Sequence, residues 1–126
     1  MYTLLEVANC HGGSETYMLS LLDELAEVRG PNIGIKFQAF RADDLARPDF
    51  FAYDLYKRLA FSVEQWATFV KKARETKEVW LDVFDAFSVE VLRHVGSDVA
   101  GLKLQASVLG NAKLVEQLAA VGLPDK

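Results

Sequence analysis

Four charged residues interrupt four otherwise apolar segments of this chain: Glu6 within residues 3–7, Lys36 within 33–38, Asp82 within 79–83 and Lys103 within 101–105. Each segment reads as a β-strand, and buried parallel strands are almost wholly apolar, so the recurrence needs a chemical reason. Side chains alternate faces along a strand, which puts Leu4 with Glu6, Lys36 with Gln38, Trp80 with Asp82, and Lys103 with Gln105. One sheet face then gathers two carboxylates and two ammonium groups. Ammonium groups in a partly desolvated pocket hold anions, and carboxylates accept hydrogen bonds from hydroxyls with directional specificity. The same four groups could instead form a neutral buried salt-bridge network. Both readings require them to be close together.

The elements that must position these charges follow from periodicity. Each strand precedes a segment with helical spacing, a βα order repeated four times. The first helix is expected from Ser14 as N-cap, with Met18, Leu21, Leu22, Leu25 and Val28 on one face and Gly30-Pro31 as its stop. Residues 62–65, Ser-Val-Glu-Gln, read as a capping box opening a helix striped by Trp66, Phe69, Val70 and Ala73. Its Lys71, Lys72 and Arg74 read as a solvated basic face. A third helix should begin near Asp85 and bury Phe87, Val91, Leu92 and Val95. Asn111 should cap a fourth, built on Leu114, Val115, Leu118 and Val121 and ended by Gly122-Leu123-Pro124.

The long segment 39–61 is too aromatic to be disordered. Phe40, Phe50, Phe51, Tyr53, Tyr56 and Phe61 predict a packed loop with a short helix around Ala52 to Leu59, whose bland role is packing and whose alternative is a lid or subunit contact.

At 126 residues, 51% hydrophobic and 25% charged, the chain suits one globular α/β domain over residues 1–126. A net charge of −4 gives no general attraction for nucleic acid or anionic lipid, so neither is an expected partner. No run is long enough to span a bilayer, no basic secretory start precedes Arg29, and the single cysteine fits a cytoplasmic location. Cys10 reads as a buried small residue rather than a nucleophile, His11 as a loop organiser, and His94 as a surface residue. The turn at residues 9–13, Asn-Cys-His-Gly-Gly, lacks both the P-loop ending and a complete Gly-x-Gly-x-x-Gly pattern, which argues against nucleotide binding.

Four βα units with a parallel sheet fit either an open doubly wound sheet or part of a βα barrel. Further residues resemble the amino-terminal barrel of the sialic acid synthase family, and in particular its spore-coat polysaccharide branch. Residues 5–14 resemble that family's first strand and Asn-His-x-Gly turn, and Lys36, Phe37 and Gln38 followed by Phe40, Asp44 and Leu45 resemble its second-strand motif. Residues 58–62 resemble the segment entering the second helix, Phe84-Asp85 the Thr-Pro-Phe-Asp turn, and residues 103–107 with Asn111 the Lys-Ile-x-Ser-x-Glu region. The resemblance implies half of a TIM (β/α)8 barrel.

It also implies a function: condensation of phosphoenolpyruvate with an amino-sugar aldehyde to a nonulosonic acid in surface polysaccharide biosynthesis. Glu6 would contact sugar hydroxyls, with Gln38 beside it, and Lys36 and Lys103 would hold phosphoenolpyruvate. A divalent metal, manganese or magnesium, is implied with its ligands outside this chain. Three positions depart from the pattern: Asp82 stands for a phosphate-contacting threonine, Ala106 for a serine and Val108 for a catalytic glutamate. Asp82 could replace the acid/base, hold a cation or pair with Lys36 or Lys103, and Ser107 could supply a nearby hydroxyl if the strand bends. The alternative function is a noncatalytic half-barrel binding or assembly module. Because a full barrel needs eight strands, two copies closing one barrel as a homodimer is a further expectation.

Overall fold

The computed structural model describes residues 1–122. Four strands, β1 (Thr3–Glu6), β2 (Ile33–Ala39), β3 (Glu78–Val83) and β4 (Gly101–Leu104), form one parallel sheet in sequential order. Sequential order with every strand parallel is the wall of a βα barrel, whereas a doubly wound sheet reverses its strand order at a switch point. Residue pairing runs Glu6–Lys36–Trp80–Gly101, and one turn of side chains higher, Gln38–Asp82–Lys103. All the residues expected on one face therefore share it.

The opposite face carries the core. Ile35, Phe37, Val79, Leu81 and Val83 are buried against Met18 and Leu22 of α1 (Glu15–Ala26), Trp66, Phe69 and Val70 of α4 (Val63–Arg74), and Leu92 of α5 (Ala86–Val95). At roughly 25 cal/mol per Å² of apolar surface, each fully buried side chain of this size contributes about 1.5–3 kcal/mol. Every expected N-cap is formed: Ser14 accepts from Tyr17 N–H, Ser62 from Gln65, Asp85 from Ser88, and Asn111 from Leu114 at the start of α6 (Ala112–Val121). The Ser62 box is reciprocal, with Gln65 returning a bond to the Ser62 amide.

Two apolar positions fall outside the core. The first helix ends at Ala26, one turn early, and leaves Val28 exposed, while Val115 faces solvent on α6. Gly122 ends α6 with a positive φ of 82°, and the expected stop at Leu123 and Pro124 lies outside the described residues. The long aromatic segment holds two short helices, α2 (Ala42–Leu45) and α3 (Tyr53–Leu59). Phe40, Leu59 and Phe61 are buried, and Phe50 and Tyr56 stack at 6.3 Å. The basic residues of α4 also act as ties: Lys72 reaches Asp23 of α1 at 2.5 Å and Arg74 reaches Asp98 at 2.7 Å.

Candidate functional site

The sheet face turned away from the helices has two layers. Its lower layer is apolar and tightly filled. Trp80 lies across Gly101, where an added Cβ would come within 2.7 Å of the indole, and Leu4 and Tyr2 cover Gly34 in the same way. Glycine at 34 and 101 is what lets these large side chains lie flat on the sheet. Tyr2 bridges Trp80 Nε1 and Glu78, anchoring this layer at the amino-terminal ends of the strands.

The upper layer is the charged cluster. Lys36 Nζ lies 3.1 Å from Glu6 Oε1 and 3.4 Å from Asp82 Oδ2, and Lys103 Nζ reaches the same Asp82 oxygen at 3.0 Å. Gln38 Nε2 donates to Glu6 at 2.7 Å, and Gln105 Nε2 donates to Asp82 Oδ2 at 2.9 Å. Asp82 is fully buried and Lys36 nearly so, whereas the Glu6 and Lys103 side chains are 46% and 44% exposed. Charges at the two edges of the sheet are open and those in the middle are closed in.

Burial acts against the Lys36 ammonium, but the hydrogen bond to Glu6 and the Asp82 charge outweigh it and raise its pKa above the ordinary lysine value. Asp82 spends one oxygen on three donors while Oδ1, also buried, has no hydrogen-bond partner among the described residues. A carboxylate so placed is a fixed counter-ion. Its position between two ammonium groups is poor for a divalent cation, and no cluster of three or more His, Cys, Asp or Glu side chains suited to a metal occurs among the described residues. The donors described here therefore do not themselves make a site for manganese or magnesium, whose ligands the resemblance places outside this chain.

Glu6, Lys36, Gln38, Asp82 and Lys103 are thus brought together, but Ser107 is not. The strand ends at Leu104, and a turn closed by Val108 N–H to Gln105 O leaves Ser107 exposed with no bond to the cluster. The same turn drives Val108 into the hydrophobic core, 3% exposed against Leu114 and Leu118 among others. A residue at position 108 faces the helices, not the charged layer. Gln105, placed on the right face by alternation but not singled out as a site residue, proves to be an Asp82 partner.

The β1–α1 loop sits at the carboxyl end of β1. His11 is buried, accepts from Gly13 N–H through Nδ1 at 3.0 Å and packs on Phe61 at 4.7 Å; burial lowers its pKa. Its role is to hold the loop. Cys10, expected to be buried, is exposed because it lies on the outside of this turn. His94 is exposed on α5, as expected.

A cavity of about 690 Å³ opens at the other end of the strands, lined in part by Tyr2, Arg29, Arg74, Lys77 and Glu78. It is the wrong end for barrel chemistry, which gathers at the carboxyl ends of strands, and its cations are engaged by Glu27, Asp98 and the Ala26 carbonyl. The charged layer at the carboxyl ends is the better candidate.

Sheet order, register and the position of the charges define a class: part of a TIM-type βα barrel whose wall carries an ionic cluster at its mouth. Two solved structures share this fold. One is the N-acetylneuraminic acid (sialic acid) synthetase of Leptospira borgpetersenii serovar Hardjo-bovis, with a TM-score of 0.81 and 24% identity over 97% of this chain and 42% of that one. The other, from Chromobacterium violaceum, is named for spore coat polysaccharide biosynthesis protein E, with a TM-score of 0.75 and 20% identity over 94% of this chain and 38% of that one. The chain spans less than half the length of either structure, and identities this low show a sialic acid synthase-like fold. No family model and no curated protein matches the sequence. No helix among the described residues is long and apolar enough to cross a membrane.

Proposed function

We propose that this chain is the phosphoenolpyruvate-binding half of a sialic acid synthase-like barrel, serving the condensation of phosphoenolpyruvate with an amino-sugar aldehyde in polysaccharide biosynthesis. The observation that carries this reading is the convergence of Lys36 and Lys103 on one point at the carboxyl ends of adjacent strands, with Glu6 and Gln38 beside them. The exposed Lys103 swings off Asp82 to meet the phosphate, while buried Lys36 supplies fixed positive potential from below. Glu6, half open to solvent and oriented by Gln38, accepts hydrogen bonds from sugar hydroxyls. Lys36, held between Glu6 and Asp82, keeps the layer from collapsing when the substrate arrives.

The other half of the barrel, a second copy in the simplest case, would supply the remaining wall of the pocket. The setting is an aqueous one such as the cytoplasm. Titration with phosphoenolpyruvate, followed by the shift in thermal midpoint with and without manganese, tests the proposal: a ligand that binds only the folded state must raise the midpoint with concentration. No shift in either condition overturns the reading for this chain.

A second reading is favoured by Val108. With the family's glutamate position turned into the core and the lysines neutralised by Asp82, the scaffold fits a noncatalytic binding or assembly module. Phosphoenolpyruvate binding without turnover, in the presence of an amino-sugar aldehyde, would select it.

A further inference from the structure

Lys36 and Lys103 share one counter-ion. Their Nζ atoms lie 3.4 and 3.0 Å from the same oxygen, Asp82 Oδ2. An anion that accepts a hydrogen bond from either ammonium at the usual ~2.8 Å is therefore brought within roughly 6 Å of a carboxylate. When Lys103 leaves Asp82 for the ligand, that carboxylate loses a donor and gains an anion as its neighbour. Two ionised oxygens so placed repel, whereas a proton between them turns the contact into a short charge-assisted O–H···O bond.

Asp82 is built to receive such a proton donor. Its Oδ2 accepts from Lys36, Lys103 and Gln105, and its buried Oδ1 has no partner among the described residues. A buried acceptor left unmet is costly. The charged and titratable groups that face it are Glu6 from β1, Lys36 from β2 and Lys103 from β4. Glu6 is an acceptor itself, taken up by Lys36 and Gln38. His11 packs on Phe61 and Trp66 among the core side chains, and His94 is exposed on α5. The proton has to come with the ligand.

We infer that Asp82 selects the protonation state of the ligand: the charged layer takes a phosphoryl group that keeps a P–O–H donor for Asp82 and rejects one that is fully ionised. The threonine that the resemblance expects at this position can donate its hydroxyl to an ionised phosphoryl oxygen, and an aspartate reverses the direction of that bond. For phosphoenolpyruvate the inference rests on the substrate reading above, and it adds which ionic form of that substrate is bound.

Three ligands test it. A phosphomonoester loses its second proton near about pH 6, inorganic phosphate keeps one proton beyond neutrality, and sulfate has none. Calorimetric titrations of the full chain at fixed ionic strength, at about pH 5.5 and about pH 7.5, compare them. Phosphoenolpyruvate should bind at least about tenfold more tightly at the lower pH, inorganic phosphate should bind at both, and sulfate should bind at least about tenfold more weakly than phosphate at both. Sulfate also reports any general gain in anion attraction as the net charge of −4 diminishes, so the acid preference is read relative to it. In Asp82→Asn, whose amide can donate, sulfate and phosphate should bind alike and the acid preference should vanish. That variant leaves buried Lys36 short of a counter-charge, so the wild-type comparison decides on its own if it fails to fold. Phosphoenolpyruvate that binds as well or better at the higher pH, or sulfate that binds as well as phosphate, overturns the inference and leaves the substrate reading standing. Inorganic phosphate bound in preference to sulfate, with phosphoenolpyruvate bound at neither pH, overturns the substrate reading alone. Failure of all three ligands to bind overturns both.

Discussion

Lys103 and Asp82 stand directly opposite one another in the β3–β4 register, and the ammonium reaches Asp82 Oδ2 at 3.0 Å. The two partners are unequal: the carboxylate is fully buried, whereas the Lys103 side chain is 44% exposed. Asp82 cannot leave and Lys103 can. The carboxylate therefore sets how much positive charge the layer presents to an incoming anion.

Replacing Asp82 separates stability from binding. In Asp82→Thr the buried Lys36 loses its strongest fixed counter-charge, and breaking a buried pair on one side costs about 3–5 kcal/mol. The same change frees Lys103 and removes a negative charge beside Lys36, which keeps Glu6, so phosphoenolpyruvate affinity should rise by about tenfold or more. Urea denaturation and calorimetric titration of the same variant read the two effects. A destabilised protein with unchanged affinity would mean that the lysines serve the fold alone.

Lys36 makes a prediction at alkaline pH. Its native pKa is raised above the ordinary lysine value of 10.5, with burial opposed and outweighed by Glu6 and Asp82. A raised native value means that this stability is fully present below the unfolded pKa and is lost as pH rises through the native one. Denaturation midpoints should hold to about pH 10 and fall beyond it, and Lys36→Met, less stable at neutral pH, should lose that part of the alkaline fall.

His11 gives the opposite sign. Burial between Phe61 and Trp66 lowers its pKa from 6.5, so the unfolded chain takes up a proton that the native loop refuses. Stability should be full above pH 6.5 and decline as the pH falls through it toward the native value. His11→Gln, which keeps an acceptor for the Gly13 amide, should be less stable throughout but flatter between about pH 5 and pH 7. An unchanged slope in that variant would assign the pH dependence to other groups.

The parts legible in the sequence are those set by local periodicity. Alternation placed Glu6, Lys36, Gln38, Asp82 and Lys103 on one face, and the caps at Ser14, Ser62, Asp85 and Asn111 announced the helices because side-chain oxygens there satisfy free amides. What alternation could not give is stagger. Gln38 stands opposite Asp82 yet donates to Glu6, a partner chosen by strand tilt, which is a property of the assembled sheet. Cys10 and Ser107 both lie on turns, which alternation does not describe: Cys10, expected buried from its residue type, is exposed, and Ser107, expected near the cluster only if the strand bends, stays outside it. Val28 and Val115 match the helical period but lie where no neighbouring element covers them.

Val108 carries the last prediction. If the glutamate that the resemblance expects at position 108 were a simple loss at the proposed site, Val108→Glu would supply it. The turn after β4 instead points position 108 into the core beside Leu114 and Leu118, where a carboxylate would lose its hydration without gaining a partner. Burial of an unpaired polar group costs about 2–7 kcal/mol, so Val108→Glu should lower the urea midpoint sharply while leaving phosphoenolpyruvate binding in the remaining folded fraction unchanged. Val108→Ile, which adds one methylene to the same packing, should stay within about 1–3 kcal/mol of the wild type. A stable Val108→Glu chain with new synthase turnover would show that the β4 turn can open toward the charged layer, and would favour the proposed condensation over the noncatalytic reading.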